Sequence, residues 1–350
     1  NLYPEDEITV ITSNPDNHPR LNRQAFECVL NNFSYKFINN HSFLSNRNED
    51  PYADNLIKFG DGYLYQKDPC GLRRSFLKKF SKNNKKIFFK LNDNQKQTGE
   101  LIRENLGIPV DSKYVTLHVR ESGYLPNLEY HSYRDCNINN CLKTIRYLID
   151  NGYHVIRLGD PTMTKLDVQS SKYIDLAHSK FTHTLAEIYF ISQADFHIGT
   201  GSGVYVVAQA YGTPKIFLNT EIPFCAWGTE YDIELPRIFY SQTLNREMSI
   251  PELAISDIMA FSKSEEFKSS GVKLIENNED VILETTQEMI NNIQRNNMGS
   301  NIDSSYFSII KSLYYKMGER NNYFSYPIVQ KKKISESYLK KYPNFLGIPF

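Results

Sequence analysis

The sequence predicts an α/β protein built of two Rossmann-like domains, the C-terminal one a doubly wound parallel sheet. Between residues 110 and 290, short runs rich in β-branched and aromatic residues alternate with stretches of helical periodicity. The connections are mostly short, the pattern of a parallel sheet covered by helices on both faces. Several runs also end in polar or glycine-rich residues, as strands do when they feed the ligand crevice of an open sheet.

In chain order, residues 8–11 read as a strand, followed by a turn over 13–19, a helix near 21–31 and a strand at 34–39. Residues 43–73 are mostly polar, carry Asp61-Gly62, and take no assignment. Residues 87–91 read as a strand and 93–106 as a helix running into Gly107-Ile108-Pro109, which sets a first domain of 1–109. No glycine-bearing βα turn opens that domain. Either it lies upstream of Asn1 or the domain is abbreviated, and a chain beginning at Asn1 is expected either to lack its true N-terminus or to belong to a longer polypeptide.

The second domain, 110–295, carries the chemistry. Tyr114-Val115-Thr116-Leu117-His118-Val119-Arg120-Glu121 reads as a buried strand ending in a His-x-Arg triplet. An arginine leaving a strand there offers a fixed, always-charged fork that matches phosphate oxygens; a lone surface arginine is the ordinary alternative. A polar loop over 122–139 and a helix over 140–151 lead through Gly152 into a second strand, which carries Arg157 and ends in Gly159-Asp160. Residues 173–177 form a short apolar run and 184–193 a helix. Asp195-Phe196-His197-Ile198-Gly199 is the next strand, followed at once by Thr200-Gly201-Ser202-Gly203 and a helix over 204–211. Residues 215–219 form another strand, and 249–261 and 278–294 are helical, with Ser249 and Asn278 as caps.

In Gly199-Thr200-Gly201-Ser202-Gly203, small residues let backbone approach a ligand, and the following helix aims free N–H groups and partial positive charge at it. Thr200 and Ser202 add hydroxyls. The turn is neither a P-loop nor a GxGxxG fingerprint, and a tight strand-to-helix turn without ligand is its bland alternative. With Arg120 and Asp160 also at strand ends, the balance favours a phosphate site. His118 shares a strand face with Arg120 and either contacts ligand or sits as a hydrogen-bonded core histidine. His197, inside its strand, reads as core. Trp227 follows a strand end, where it either stacks on a ligand ring or packs.

These residues carry a resemblance. The HVR strand end, the Tyr133-Arg134-Asp135 loop, "GYHVIRLGD" and "ADFHIGTGSGVYVVAQAYGTPKIFLN" are similar to bacterial glycosyltransferases distantly related to the O-fucosyltransferase and nodulation fucosyltransferase clan. The resemblance implies a GT-B architecture, with the nucleotide sugar held mainly by the C-terminal domain and a glycan or glycolipid acceptor in the cleft. It implies that Arg120 neutralises the donor diphosphate. Where the clan's motif runs HxRxxD, this chain has Gly123, and Glu121 is the nearest acid. The expected donor set is His118, Arg120, Arg157, Asp160, Thr200, Gly201, Ser202 and Gly203. Sugar transfer also calls for a base on the acceptor hydroxyl, for which Glu121, Asp135 and an acid of the first domain stand as candidates. No Asp-x-Asp ends a strand, so transfer is expected to proceed without metal or cofactor. A noncatalytic nucleotide- or glycan-binding module of a polysaccharide-assembly protein is the alternative.

Composition is compatible with this. Forty basic and forty acidic residues cancel, so no global field recruits nucleic acid or an anionic bilayer. Twenty-four tyrosines and twenty-one phenylalanines supply core and the ring faces on which sugars pack. The cysteines (Cys28, Cys70, Cys136, Cys141, Cys225) are odd in number and scattered, which suits a reducing compartment and no metal cluster. No run approaches the ~20 apolar residues of a membrane span, so a cytoplasmic protein, at most peripheral to the inner membrane face, is expected. After the polar linker 291–303, the lysine- and tyrosine-rich tail reads as a final helix crossing back onto the first domain, the third segment being 296–350.

Overall fold

The computed structural model describes residues 9–13, 34–38, 55–59, 62–66, 89–124, 126–182, 185–221, 231–258, 261–295 and 333–347. The chain divides into two compact units, 1–87 with 317–328, and 88–316 with 329–350.

In the first unit β1 (Thr9–Ser13) pairs in parallel with β2 (Ser34–Ile38), and β3 (Asn55–Phe59) pairs antiparallel with β4 (Gly62–Gln66). Both strands expected here from sequence are present, whereas the β3–β4 pair falls in the stretch given no assignment. The expected helix near 21–31 lies outside the described residues.

The second unit is built on a seven-stranded sheet of order β14-β10-β9-β8-β5-β6-β7, parallel throughout. Its strands are β5 (Tyr114–His118), β6 (His154–Arg157), β7 (Tyr173–Asp175), β8 (Phe196–Gly199), β9 (Lys215–Thr220), β10 (Ile233–Pro236) and β14 (Lys333–Ile334). The expected strands 115–119, 154–158, 196–198 and 215–218 all lie in this sheet. Every residue of β5, β8, β9 and β10 is buried, as in a sheet covered on both faces. Helices α1 (Asp93–Asn105), α3 (Leu185–Gln193) and α4 (Gly203–Tyr211) pack together, as do α2 (Leu142–Asp150), α7 (Glu279–Gln294) and α8 (Glu336–Lys341). The winding explains both groups. From β5 the chain steps outward through β6 to β7, then returns across β5 to β8 and runs the other way. Right-handed crossovers place helices on opposite faces when the direction reverses.

Four expectations are corrected. Residues 89–91 are not a strand; Phe89 N–H instead donates to the Ala210 carbonyl at 2.9 Å. Helix α1 belongs to the second unit, although the sequence reading placed it before a boundary at 109. Its Gly99 lies against Tyr189 of α3 so closely that a Cβ there would stand 2.0 Å from the ring. The long helix expected over 249–261 stops at Ile255: α5 is Ile250–Ile255, and a separate α6 covers Ser264–Ser269. Flanking them in the chain, a three-stranded antiparallel sheet of β11 (Ile238–Ser241), β12 (Arg246–Glu247) and β13 (Val272–Ile275) was not foreseen.

The tail gives the fourth, for part of its length. Residues 317–328 group with the first unit, whereas 333–347 belong to the second. Strand β14 extends the seven-stranded sheet beside β10, Lys333 pairs with Glu288 of α7 at 2.7 Å, and the fully buried Tyr338 donates to the Arg237 carbonyl at 3.3 Å. Among the described residues no helix is long and apolar enough to cross a membrane.

Candidate active site

The reversal of strand order falls between β5 and β8, and the crevice of an open α/β sheet lies outside the carboxyl ends of the strands at that point. Those ends are the His118-Val119-Arg120 segment and Gly199-Thr200-Gly201-Ser202-Gly203. The structure therefore brings the two sequence signals together. Thr200 N–H donates to the His118 carbonyl at 3.2 Å, and Arg120 N–H donates to the Thr200 hydroxyl at 2.8 Å. Thr200, fully buried, thus clamps the turn onto β5.

Ser202 is the N-cap of α4, its hydroxyl accepting from Tyr205 N–H at 3.3 Å and lying 3.2 Å from His118 Nδ1. Burial, then the nearby Arg157, push His118 down to about 4, so it is a neutral hydrogen-bonding partner of the turn near pH 7. His197 is core as expected, fully buried with Nδ1 3.0 Å from the Thr116 hydroxyl. Neither Gly201 nor Gly203 has a positive φ. Their value is space: a Cβ on Gly203 would meet nothing within 4 Å, whereas one on Gly201 would stand 3.2 Å from both carboxylate oxygens of Glu221.

Arg120 turns toward the loop after β5, not toward open solvent. Its Nη1 pairs with Asp135 and donates to the His131 carbonyl at 3.1 Å. Arg237, which follows β10, donates to the Asp135 carbonyl at 2.6 Å and to Cys136 Sγ at 2.9 Å. Arg134 lies over the Tyr133 ring, 5.8 Å from its centroid. All three guanidinium groups act on Asp135 and on Glu221. Burial outweighs them at Asp135, whose acidity is weakened.

The other expected site residues make contacts of their own, while Arg157 and Asp160 bear on His118 and Glu121 on Asp135. Arg157 is fully buried between Glu121, at 3.5 Å, and Asp175, at 3.5 Å, and also donates to the Thr164 carbonyl. Glu121 accepts from Thr164 N–H at 2.6 Å. Asp160, also buried, caps the following turn by accepting from Thr162 N–H at 2.9 Å. These contacts stiffen the β6 mouth and give Glu121, Arg157 and Asp160 partners within the protein.

Two residues were missed by sequence reasoning. Arg237 gave no signal, because β10 itself was unrecognised. Glu221 follows the last residue of β9, and the rule that picked Arg120 and Asp160 at strand ends would have found it. Asn219, with a left-handed φ of 53° just before it, is tied down by accepting from Asn277 N–H at 2.9 Å and Nδ2 at 2.8 Å. Trp227 lies outside the described residues. Cys136 and Cys141 are buried thiols, each pushed up to about 12 by burial, hence protonated and unreactive. A cavity of about 680 Å³ lined by Phe239, Tyr338, Tyr342 and Phe345 includes none of the site residues above.

No family model matches the chain, and no curated protein matches it. Two solved structures are similar over part of their length. One is the ADP-heptose LPS heptosyltransferase II of E. coli, 14% identical, covering 37% of this chain and 39% of that one, with a TM-score of 0.29. The other is a glycosyl transferase of family 9 from Veillonella parvula, 12% identical, covering 41% of this chain and 39% of that one, with a TM-score of 0.31. The chain thus spans about two fifths of the length of each. Neither bears a fucosyltransferase name.

Proposed function

We propose that this protein is a glycosyltransferase of the hexosyl or deoxyhexosyl type. It takes a sugar from a nucleotide-sugar donor to a glycan or glycolipid acceptor, without metal, in the synthesis of a bacterial surface polysaccharide or glycoconjugate. The similarity to the fucosyltransferase clan noted in the sequence belongs to this reading. The observation that carries it is the meeting of Arg120 and the Thr200-Gly201-Ser202-Gly203 turn at the reversal of strand order, ringed by Arg134 and Arg237.

In transfer, the anomeric C–O bond to the diphosphate breaks as the acceptor oxygen bonds to the sugar, so negative charge builds on the departing phosphate. Fixed guanidinium groups and backbone N–H donors aimed at that charge lower the barrier, and losing one such donor typically costs about 10²–10³ in rate. Asp135 holds Arg120 in place from the loop side. Occupation of Glu121 and Asp135 by arginines leaves neither ready as a base. That favours, as a second reading, a noncatalytic nucleotide- or glycan-binding module.

A panel of nucleoside diphosphates and nucleotide sugars separates the two. A ligand at a hundred times its Kd raises stability by about 2.7 kcal/mol. Stabilisation by a diphosphate together with its release from the matching nucleotide sugar in the presence of acceptor supports the transferase. Stabilisation without release, or stabilisation by none of the panel with oligosaccharide binding retained, supports the module, and binding of neither nucleotide nor oligosaccharide refutes both.

A further inference from the structure

Glu221 is a buried acid that the reading above does not use. Only 8% of its surface is exposed, and its Oε1 is buried without a hydrogen-bond partner. A native fold ordinarily satisfies a buried carboxylate oxygen, so an orphan at a crevice marks a place for a ligand. The carboxyl group lies against the glycine turn, since any side chain at Gly201 would press on both its oxygens. Whatever reaches the Gly201 backbone therefore meets Glu221. Resting on the assignment of this crevice to a diphosphate, we propose that Glu221 is a ligand-holding residue of the site, its protonated carboxyl donating a hydrogen bond to a phosphate oxygen seated on the Thr200-Gly201-Ser202-Gly203 turn.

The charges around it say why the proton is needed. An ionised carboxylate at this distance from the turn would repel a diphosphate; the neutral acid attracts it. The charged and titratable groups that bear on Glu221 are Arg120 beyond β5, Tyr133 and Arg134 in the loop, Cys136, and Arg237 beyond β10. The arginines favour ionisation, yet burial prevails and lifts the acid to about 7. A phosphate arriving beside it adds negative charge and raises it further. Binding then draws a proton from solvent onto Glu221: the O–H bond forms at the carboxylate, and solvent gives up the proton.

Isothermal titration of the wild-type protein with UDP, GDP, ADP and CDP at about pH 8, in two buffers of different ionisation enthalpy, reads that proton directly. The expected result is uptake approaching one proton per diphosphate bound, abolished in Glu221→Gln, which keeps a donor but cannot titrate. The variant should match wild-type affinity near pH 6 and, because wild type must take up a proton on an acid of about 7, bind on the order of 50–100-fold more tightly than wild type near pH 9. Binding without proton uptake, or uptake unchanged in Glu221→Gln, overturns the role of Glu221 and leaves the site standing. Failure of all the diphosphates to bind wild type overturns the site assignment, and this inference with it.

Discussion

Replacing Glu221 by glutamine should stabilise the protein in alkali and leave it unchanged in acid. Glutamine keeps the shape of the side chain and removes its titration. In the wild type, burial holds the folded-state acid at about 7 against an ordinary value of 4.5. Between those values the folded chain binds more protons than the unfolded one, so stability falls as pH rises, and the full cost is present above the folded value. At about 1.4 kcal/mol per tenfold, the shift from 4.5 to about 7 amounts to roughly 3 kcal/mol. The gap between Glu221→Gln and wild type should therefore be near zero at about pH 4 and open to roughly 3 kcal/mol by about pH 8. For a unit of this size that is a rise in Tm of roughly 6–12 °C. Melting curves of both proteins across that range measure it. A gap that does not change with pH, or that widens toward acid, would refute the claim that burial raises the Glu221 carboxyl.

Further expectations rest on individual contacts. Arg120→Ala should lower turnover by about 10²–10³ and should also cost roughly 1–3 kcal/mol of stability, because Asp135 loses its partner; unchanged nucleotide affinity in urea-titrated, folded protein would assign Arg120 to structure. Gly201→Ala should weaken diphosphate binding far more than Gly203→Ala, since only the former crowds Glu221; equal effects in a binding titration would contradict the geometry. Ser202→Ala removes an N-cap and should lower stability by roughly 0.5–2 kcal/mol, read by chemical denaturation with and without nucleotide.

How much of this was legible in the sequence depends on where the deciding contacts lie. Strands β5, β8 and β9 announce themselves because they are uninterrupted runs buried on both faces, and Arg120 and the glycine turn sit directly at their ends. Their meeting is not local information: β8 follows β7 in the chain but pairs with β5, and only that pairing creates the crevice. Strand β10 hid because its apolar run is broken by Glu234 and Pro236, a buried charge tolerated through tertiary partners. Strand β14, at two residues, is too short to carry any periodicity. Gly99 looks like a mild flaw in a helix until Tyr189 is seen filling the notch it leaves. Arg157, Asp160 and Glu121 show the converse. Their position at strand ends suggests ligand contacts, and what the structure adds is that Arg157 and Glu121 pair with each other while Glu121 and Asp160 accept from backbone N–H groups.

The most direct test of the central claim is a structure determined with a nucleoside diphosphate bound. Its phosphates should lie at the mouth of β5 and β8, within hydrogen-bonding reach of the 201–203 backbone and the Arg120 guanidinium, with Glu221 beneath them. Phosphates bound on any other surface, with Arg120 still closed on Asp135 and the glycine turn untouched, would contradict it.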